Sequence, residues 1–324
     1  LGNSPDPLEL FDKYGVDAVR VSILLIAPQG TDVLFSEDKI DLGRNFMNKL
    51  WNCSRFLMMN IESKDKIIPF NKLDSTSFEL VDYWILSRLN TTIKDVNHLL
   101  DNYKLNEAIK TMYNFIWKDY CDWYIEFSKS RMYGNSDDDK NIAISIATFV
   151  LENILKMLHP YAPFITEEIW SFYKSNDQIL FNSNWPETNL ELINNEVESQ
   201  FNFVAQVISS IRNIRSELNV SPKKEAELIC RGAKSKTDII IENNKYFQSM
   251  AKIVSIESGE NIEKPSQAST SVINDVEFFL PLVDLIDINV EADRLQTKID
   301  DIAGRIQAVK NKLDNKNFIS NAPS

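Results

Sequence analysis

The chain has 324 residues, a net charge of −12 from 35 basic and 47 acidic side chains, and 44% apolar residues. The length exceeds one ordinary domain, and the apolar content suffices for conventional cores. The acidic balance argues against a surface that coats nucleic acid broadly, while a local basic or aromatic face that binds structured RNA stays open.

The first elements are short. Asp6-Pro7 precedes an amphipathic run, Leu8-Glu-Leu-Phe11, with Pro7 suited to the first helical turn, Asp6 to the N-cap and Gly15 to the position past the end. A second helix is expected from Val16 to about Ile26, stopped by Pro28-Gln-Gly30. The next helix covers Ile40 to about Ile61. Phe46, Leu50, Cys53 and Leu57 form its apolar stripe; Asn45, Lys49, Asn52 and Phe56 form another, flanked by Arg44, Asn48 and Arg55. Amides that read base edges, cations that meet phosphates and an aromatic that stacks on an unstacked base suit an RNA loop. The same residues also suit a solvated helix face with Phe56 tucked inward.

A polar connection from Glu62 to Ser77 leads to a helix over Phe78–Leu100, with Trp84, Leu86, Leu89, Ile93 and Val96 inside. A longer helical pattern then runs from about Leu105 to Tyr133. Leu105, Ala108, Ile109, Met112, Ile116, Tyr120, Trp123 and Phe127 recur at helical steps. Aromatic rings on more than one side mark this helix as surrounded by others. Asp119, Asp122 and Glu126 form an acidic ridge on it, and partly covered carboxylates need cationic partners. Arg212 and Arg215, which protrude from a helix over Glu196–Leu218, are the first candidates for that pairing; the alternative is RNA phosphate. A catalytic carboxylate pair is the weaker reading, because no nucleophile or metal-ligand cluster accompanies the ridge.

Gly134-Asn-Ser-Asp-Asp-Asp reads as an acidic turn before an apolar helix over Ile142–Leu158. Pro160 and Pro163 separate that helix from a short one carrying Phe164, Ile165, Ile169 and Trp170. His159 reads as a structural partner. After Ser221-Pro222 the pattern changes. Glu225–Cys230 and Ile253–Ile256 read as short strands with a helix over Thr237–Met250 between them, and Ser271–Leu282 reads as a hairpin turning at Asn274-Asp275. Ala292, Leu295, Ile299, Ile302, Ile306, Val309 and Leu313 make a coiled-coil seam interrupted by Gly304. An unpartnered seam is expected to fray, find a second copy or dock on the bundle.

Cys53, Cys121 and Cys230 lie far apart without zinc spacing and suggest a reducing compartment. His98 and His159 are isolated, and no metal site is expected from them. No signal peptide, membrane-length apolar run or Gly-rich phosphate loop is apparent.

Phe115-Ile-Trp-Lys-Asp-Tyr-Cys-Asp-Trp-Tyr-Ile-Glu126 resembles a helix of the tRNA-anticodon-binding domain in valyl-, isoleucyl- and leucyl-tRNA synthetases, the class Ia enzymes. The resemblance extends in order through Tyr14-Gly-Val-Asp-Ala-Val-Arg20, Gly43-Arg-Asn-Phe-Met-Asn-Lys-Leu-Trp-Asn52, Asp82-Tyr-Trp-Ile-Leu-Ser-Arg-Leu-Asn90 and His159-Pro-Tyr-Ala-Pro-Phe-Ile-Thr-Glu-Glu-Ile-Trp170. Isoleucyl and leucyl enzymes share the middle motifs. The seam followed by Phe318…Ala322-Pro323 is similar to the turn of the valyl C-terminal helical hairpin.

The resemblance implies a mainly α fold in four parts. These are residues 1–36 ending a catalytic domain, a helical anticodon-binding bundle over 37–222, a small α+β module over 223–286 and a truncated coiled-coil arm over 287–324. It implies a bundle whose Arg44, Asn45, Asn48, Lys49, Asn52 and Phe56 face the anticodon loop of tRNA(Val). Asp119, Asp122, Trp123, Glu126 and His159 are then structural. The valyl enzyme uses ATP with Mg to attach valine to its tRNA. The signature loops Lys-Met-Ser-Lys-Ser and His-Ile-Gly-His do not occur in this sequence, so a catalytically silent region without cofactor of its own is expected. Its partners are then tRNA(Val) and the catalytic and editing domains of one cytoplasmic, monomeric chain without membrane contact. The competing readings are the same region of an isoleucyl or leucyl enzyme, and a helical interaction scaffold with no RNA role, which the −12 charge suits.

Overall fold

A computed structural model describes residues 6–27, 30, 36–63, 66–174, 178–283 and 285–314. The chain forms two compact units, Leu1–Asn202 and Phe203–Ser324. The division falls inside a helix, α9 (Asn195–Glu217), ahead of the Ser221-Pro222 break expected from the sequence. The turn expected at Pro28-Gln29 and the motif over Asn317–Pro323 lie outside the described residues.

The first unit is helical. α1 (Pro7–Tyr14) starts where Asp6 accepts a hydrogen bond from the Leu8 amide at 2.9 Å, and it ends at Gly15, whose φ of 88° is easy only for glycine. α2 (Val16–Ile26) crosses α3 (Ile40–Asn60) at Gly43. A Cβ there would lie 2.1 Å from the Ala18 carbonyl oxygen and 2.3 Å from Ser22 Oγ, so the contact requires glycine. Ser22 fastens the crossing, accepting from the Gly43 amide at 2.9 Å and donating to Ile40 O at 3.0 Å.

α4 (Leu80–Asp101) opens with a capping box in which Asp82 accepts from the Glu79 amide at 3.0 Å. Asp82 is fully buried and also takes Arg131 Nη1 at 2.5 Å and the Tyr124 hydroxyl at 3.1 Å. The expected long aromatic helix is present but not uniform. It consists of α5 (Leu105–Asn114), a π-helical segment (Phe115–Tyr124) and α6 (Ile125–Met132). Leu105, expected inside, is 49% exposed, whereas Phe115, Tyr120 and Tyr124 are sealed in the core. The Tyr120 hydroxyl satisfies itself on Ala147 O at 2.9 Å.

α7 (Asp137–Leu158) begins earlier than the sequence suggests. Ser136 caps it, and Asp137, Asp138 and Asp139 occupy its first turn, where the helix dipole favours negative charge. Contrary to the expectation that no membrane-length apolar run exists, α7 is long and apolar enough to cross a membrane by length and composition. In this structure its apolar side chains are taken up by the bundle: Ile146, Ala147, Val150, Leu151, Ile154 and Leu155 are fully buried. α8 (Pro163–Tyr173) follows, with Pro163 in its first turn.

The second unit contains a sheet of β1 (Ala226–Arg231), β2 (Ile253–Gly259), β3 (Ala268–Ile273) and β4 (Val276–Pro281) in the order β2-β1-β4-β3. β1 and β2 are parallel; β4 is antiparallel to both β1 and β3. A parallel pair needs a crossover, which α10 (Lys234–Glu242) and α11 (Asn244–Ala251) provide. They replace the single helix expected over Thr237–Met250. The hairpin turns at Asn274 and Asp275, both at positive φ (49° and 63°), the backbone that a two-residue type I′ turn requires. α12 (Ile288–Asp314) carries the seam, exposed at Leu295, Ile299, Ile302, Ile306, Val309 and Leu313.

Candidate RNA-docking face

α3 buries Phe46, Leu50, Cys53 and Leu57 and turns Arg44, Asn45, Asn48, Asn52 and Arg55 to solvent. None of those five side chains makes a hydrogen bond among the described residues, so their donors and acceptors stay available to a ligand. Lys49 and Phe56 are half-buried on the same helix.

The structure sorts the sequence-derived residues into two neighbouring strips. Arg44 and Asn48, one helical turn apart, line a cleft of about 340 Å³ with Tyr14, Asp17 and Phe164. Asp17 builds the far wall by accepting from the Ile165 amide at 2.6 Å, which anchors the N-terminus of α8. Phe164 is left 65% exposed at the rim. Asn45, Lys49, Asn52 and Phe56 instead follow the seam where α3 meets the aromatic helix.

At that seam Lys49 is bonded to Asp122 and lies over the Trp117 ring, 5.1 Å from its centroid. Trp117 stacks on Tyr113 at 5.5 Å and 23°, and Tyr113 packs against Phe46 at 4.8 Å. Trp117 and Asp122 are five residues apart. In an α-helix that spacing turns through about 140° and would separate them. The i→i+5 ladder of the π-helical segment brings both to Lys49. Burial pulls the Lys49 ammonium downward, but the bond and charge of Asp122 outweigh it and hold its pKa above the ordinary lysine value. Farther along, Phe56 meets Tyr133 edge-on at 6.1 Å and carries Lys129 over its ring at 5.3 Å; Lys129 pairs with Glu126 at 2.5 Å.

These contacts correct the pairing expected for the acidic ridge. Asp119 pairs with Arg88 at 3.0 Å, Asp122 with Lys49 and Glu126 with Lys129. Arg212 and Arg215 are not the partners. Arg212 Nε donates to Met250 O at 2.8 Å, and Arg215 Nη2 donates to Ser221 O and Lys224 O. The physical reason is that each acid has a nearer cation: the π-helical winding turns Asp119 and Asp122 to neighbours on different helices, and Glu126 meets Lys129 one turn on within α6. Trp123 packs between Phe127 and Phe201, with centroids at 5.6 and 6.3 Å. His159 Nδ1 shares a 2.8 Å hydrogen bond with Thr166 Oγ1, and Nε2 stands 3.9 Å from Glu167. Among the described residues no three His, Cys, Asp or Glu side chains gather as a metal site requires.

Trp117 and Tyr113 belong to this face and were not singled out for it from the sequence. Their signal was the aromatic excess itself: rings beyond what one buried stripe needs. The resulting surface offers exposed amides, a flat aromatic pair and cations, in part already neutralised.

A family model described as the anticodon-binding domain of tRNA ligase matches residues 82–230, from α4 to β1. The α3 strip precedes that match; the aromatic helix lies within it. Along the whole of this chain, valine–tRNA ligase of Fusobacterium nucleatum is 39% identical, that of Clostridium tetani 38% and that of Bacillus subtilis 36%. The chain covers 37%, 36% and 37% of those proteins, little more than a third of the length of the curated relatives it matches.

Proposed function

We propose, for a chain that belongs to the valine–tRNA ligase family, that its helical unit docks the anticodon arm of tRNA(Val). The whole ligase then uses ATP with Mg to attach valine to that tRNA, and this region supplies the grip rather than the chemistry. The observation that carries the reading is the pair Asn45 and Asn52, exposed and without side-chain hydrogen bonds among the described residues, beside the Trp117–Tyr113 stack, with Asn48 likewise open in the neighbouring cleft. Amides discriminate base edges in splayed single-stranded loops, and aromatic planes hold the splayed base. Stacking of this kind is worth ~1–3 kcal/mol per base. Arg44 and Arg55 flank these amides for phosphate, which reconciles RNA binding with a net charge of −12: the favourable field is local.

The test is equilibrium binding of tRNA(Val) and of a non-cognate tRNA to the chain, followed by fluorescence anisotropy. Preferential binding of tRNA(Val), weakened several-fold by Asn45→Ala and by Asn52→Ala, is expected. A folded chain that binds neither RNA, or binds both with no response to those substitutions, supports the interaction-scaffold reading instead.

A further inference from the structure

Arg215, at the end of α9, is only 8% exposed. Its Nη2 donates to the carbonyl oxygens of Ser221 at 3.1 Å and Lys224 at 2.5 Å, which closes the loop after the helix. That role uses one nitrogen. Nη1 is buried with no hydrogen-bond partner among the described residues. Burial draws the Arg215 pKa below the usual arginine value, and no carboxylate acts against the shift. A guanidinium stays charged at any ordinary pH, and a buried charge without a counter-charge is costly.

Beside it is a cleft of about 560 Å³ lined by Arg212, Arg215, Ser216, Asn219, Ser221 and Lys252, among others, with no acidic residue in the lining. Arg212 is held at the wall by its bond to Met250 O. Lys252 is presented from a left-handed backbone, φ 57°, and is exposed. Ser216, Ser221 and Asn219 add neutral donors. Three cations around one concavity exceed what a single carboxylate neutralises, whereas a polynucleotide backbone presents successive negative charges and oxygens that fit a forked guanidinium.

We propose that this cleft of the second unit binds the phosphodiester backbone of RNA, with Arg212 and Lys252 as its cationic donors and the buried Arg215 guanidinium as the uncompensated positive charge behind them. The proposal rests on the RNA-docking reading of the first unit and extends it to a second place, the end of α9 with Lys252.

The experiment measures tRNA(Val) affinity across a KCl series for the full chain and for Lys252→Asn, Arg212→Gln and the double variant. Asparagine tolerates the left-handed backbone of Lys252, and Arg215 is left intact because it holds the loop. Each lost phosphate contact is expected to flatten the slope of log affinity against log salt by about 0.7–0.9. Asn45→Ala and Asn52→Ala are expected to lower affinity at unchanged slope. If the wild-type chain binds tRNA and the asparagine variants weaken it, while Lys252→Asn and the double variant keep the full slope, the cleft proposal is overturned and the docking face stands. If the wild-type chain binds no RNA, both fall. A parallel titration with inorganic phosphate, read by amide shifts at Asn219 and Lys252, separates the sources. Saturation by phosphate alone with an unchanged RNA slope would assign the cleft to a free oxyanion and overturn the RNA assignment.

Discussion

Lys49 on α3 and Asp122 in the π-helical segment form an ion pair, with the Lys49 ammonium over the Trp117 ring. One of the three cations along α3, Arg44, Lys49 and Arg55, is therefore held half-neutralised at the seam. Both side chains remain partly exposed, 32% and 41%, so the pair contributes little to stability, ~0.2–1 kcal/mol after solvent screening. Its larger effect is on the surface field. Asp122→Asn is expected to tighten tRNA binding at low salt and to steepen the salt slope by about 0.7–0.9, with a small loss in melting temperature. Weaker binding in Asp122→Asn, with the fold intact by circular dichroism, contradicts this.

The crossing of α2 and α3 depends on Gly43. Gly43→Ala places a methyl group 2.1 Å from the Ala18 carbonyl oxygen, so the helices must separate. A destabilisation of ~1–3 kcal/mol or more is expected from urea unfolding. Because α3 carries the proposed docking face, RNA affinity should fall as well. Wild-type stability in Gly43→Ala shows that the crossing relaxes easily.

Asp82 and Arg131 form a buried pair, 0% and 5% exposed, with Glu79 3.3 Å from Arg131 Nε. Arg131→Met strands a carboxylate in the core, and ~3–5 kcal/mol of lost stability is expected. Adding Asp82→Asn removes the stranded charge while keeping groups for the Glu79 amide and the Tyr124 hydroxyl. The double variant should recover part of the loss in denaturant titrations; no recovery contradicts the charge explanation.

Cys53, Cys121 and Cys230 are free and buried. Burial pushes the Cys230 thiol from 9.0 up to about 12; Cys53 is raised well above its ordinary value by its hydrogen bond with Cys121 and by burial. The folded state thus binds protons that the unfolded state releases. The stability contributed by Cys230 is fully present below about pH 9 and is lost progressively as pH rises toward about 12. At pH 8 none of the three should react with a thiol reagent before unfolding. Rapid labelling of native protein contradicts this burial.

Much of this architecture was legible in the residues. Asp6, Pro7 and Gly15 announced the ends of α1, Asn274-Asp275 the hairpin, and the Phe46–Leu57 stripe the buried side of α3. In each case the signal is local chemistry or period. The π-helical segment was not legible, because a helix apolar on several sides looks the same whether it closes i→i+4 or i→i+5 rings. That one difference decided which cations Asp119 and Asp122 meet, and it brought Trp117 to the proposed docking face; Glu126 meets Lys129 at ordinary helical spacing within α6. Asn45 and Asn52 could be nominated from spacing, but their lack of side-chain hydrogen bonds among the described residues depends on tertiary neighbours that no spacing encodes.

The most direct test of the docking claim is a ribose-acylation footprint of tRNA(Val) at saturating wild-type chain. Protection concentrated in the anticodon loop, and lost with Asn45→Ala and Asn52→Ala, is the expected result. An anticodon loop that stays fully reactive while the tRNA is bound would contradict it.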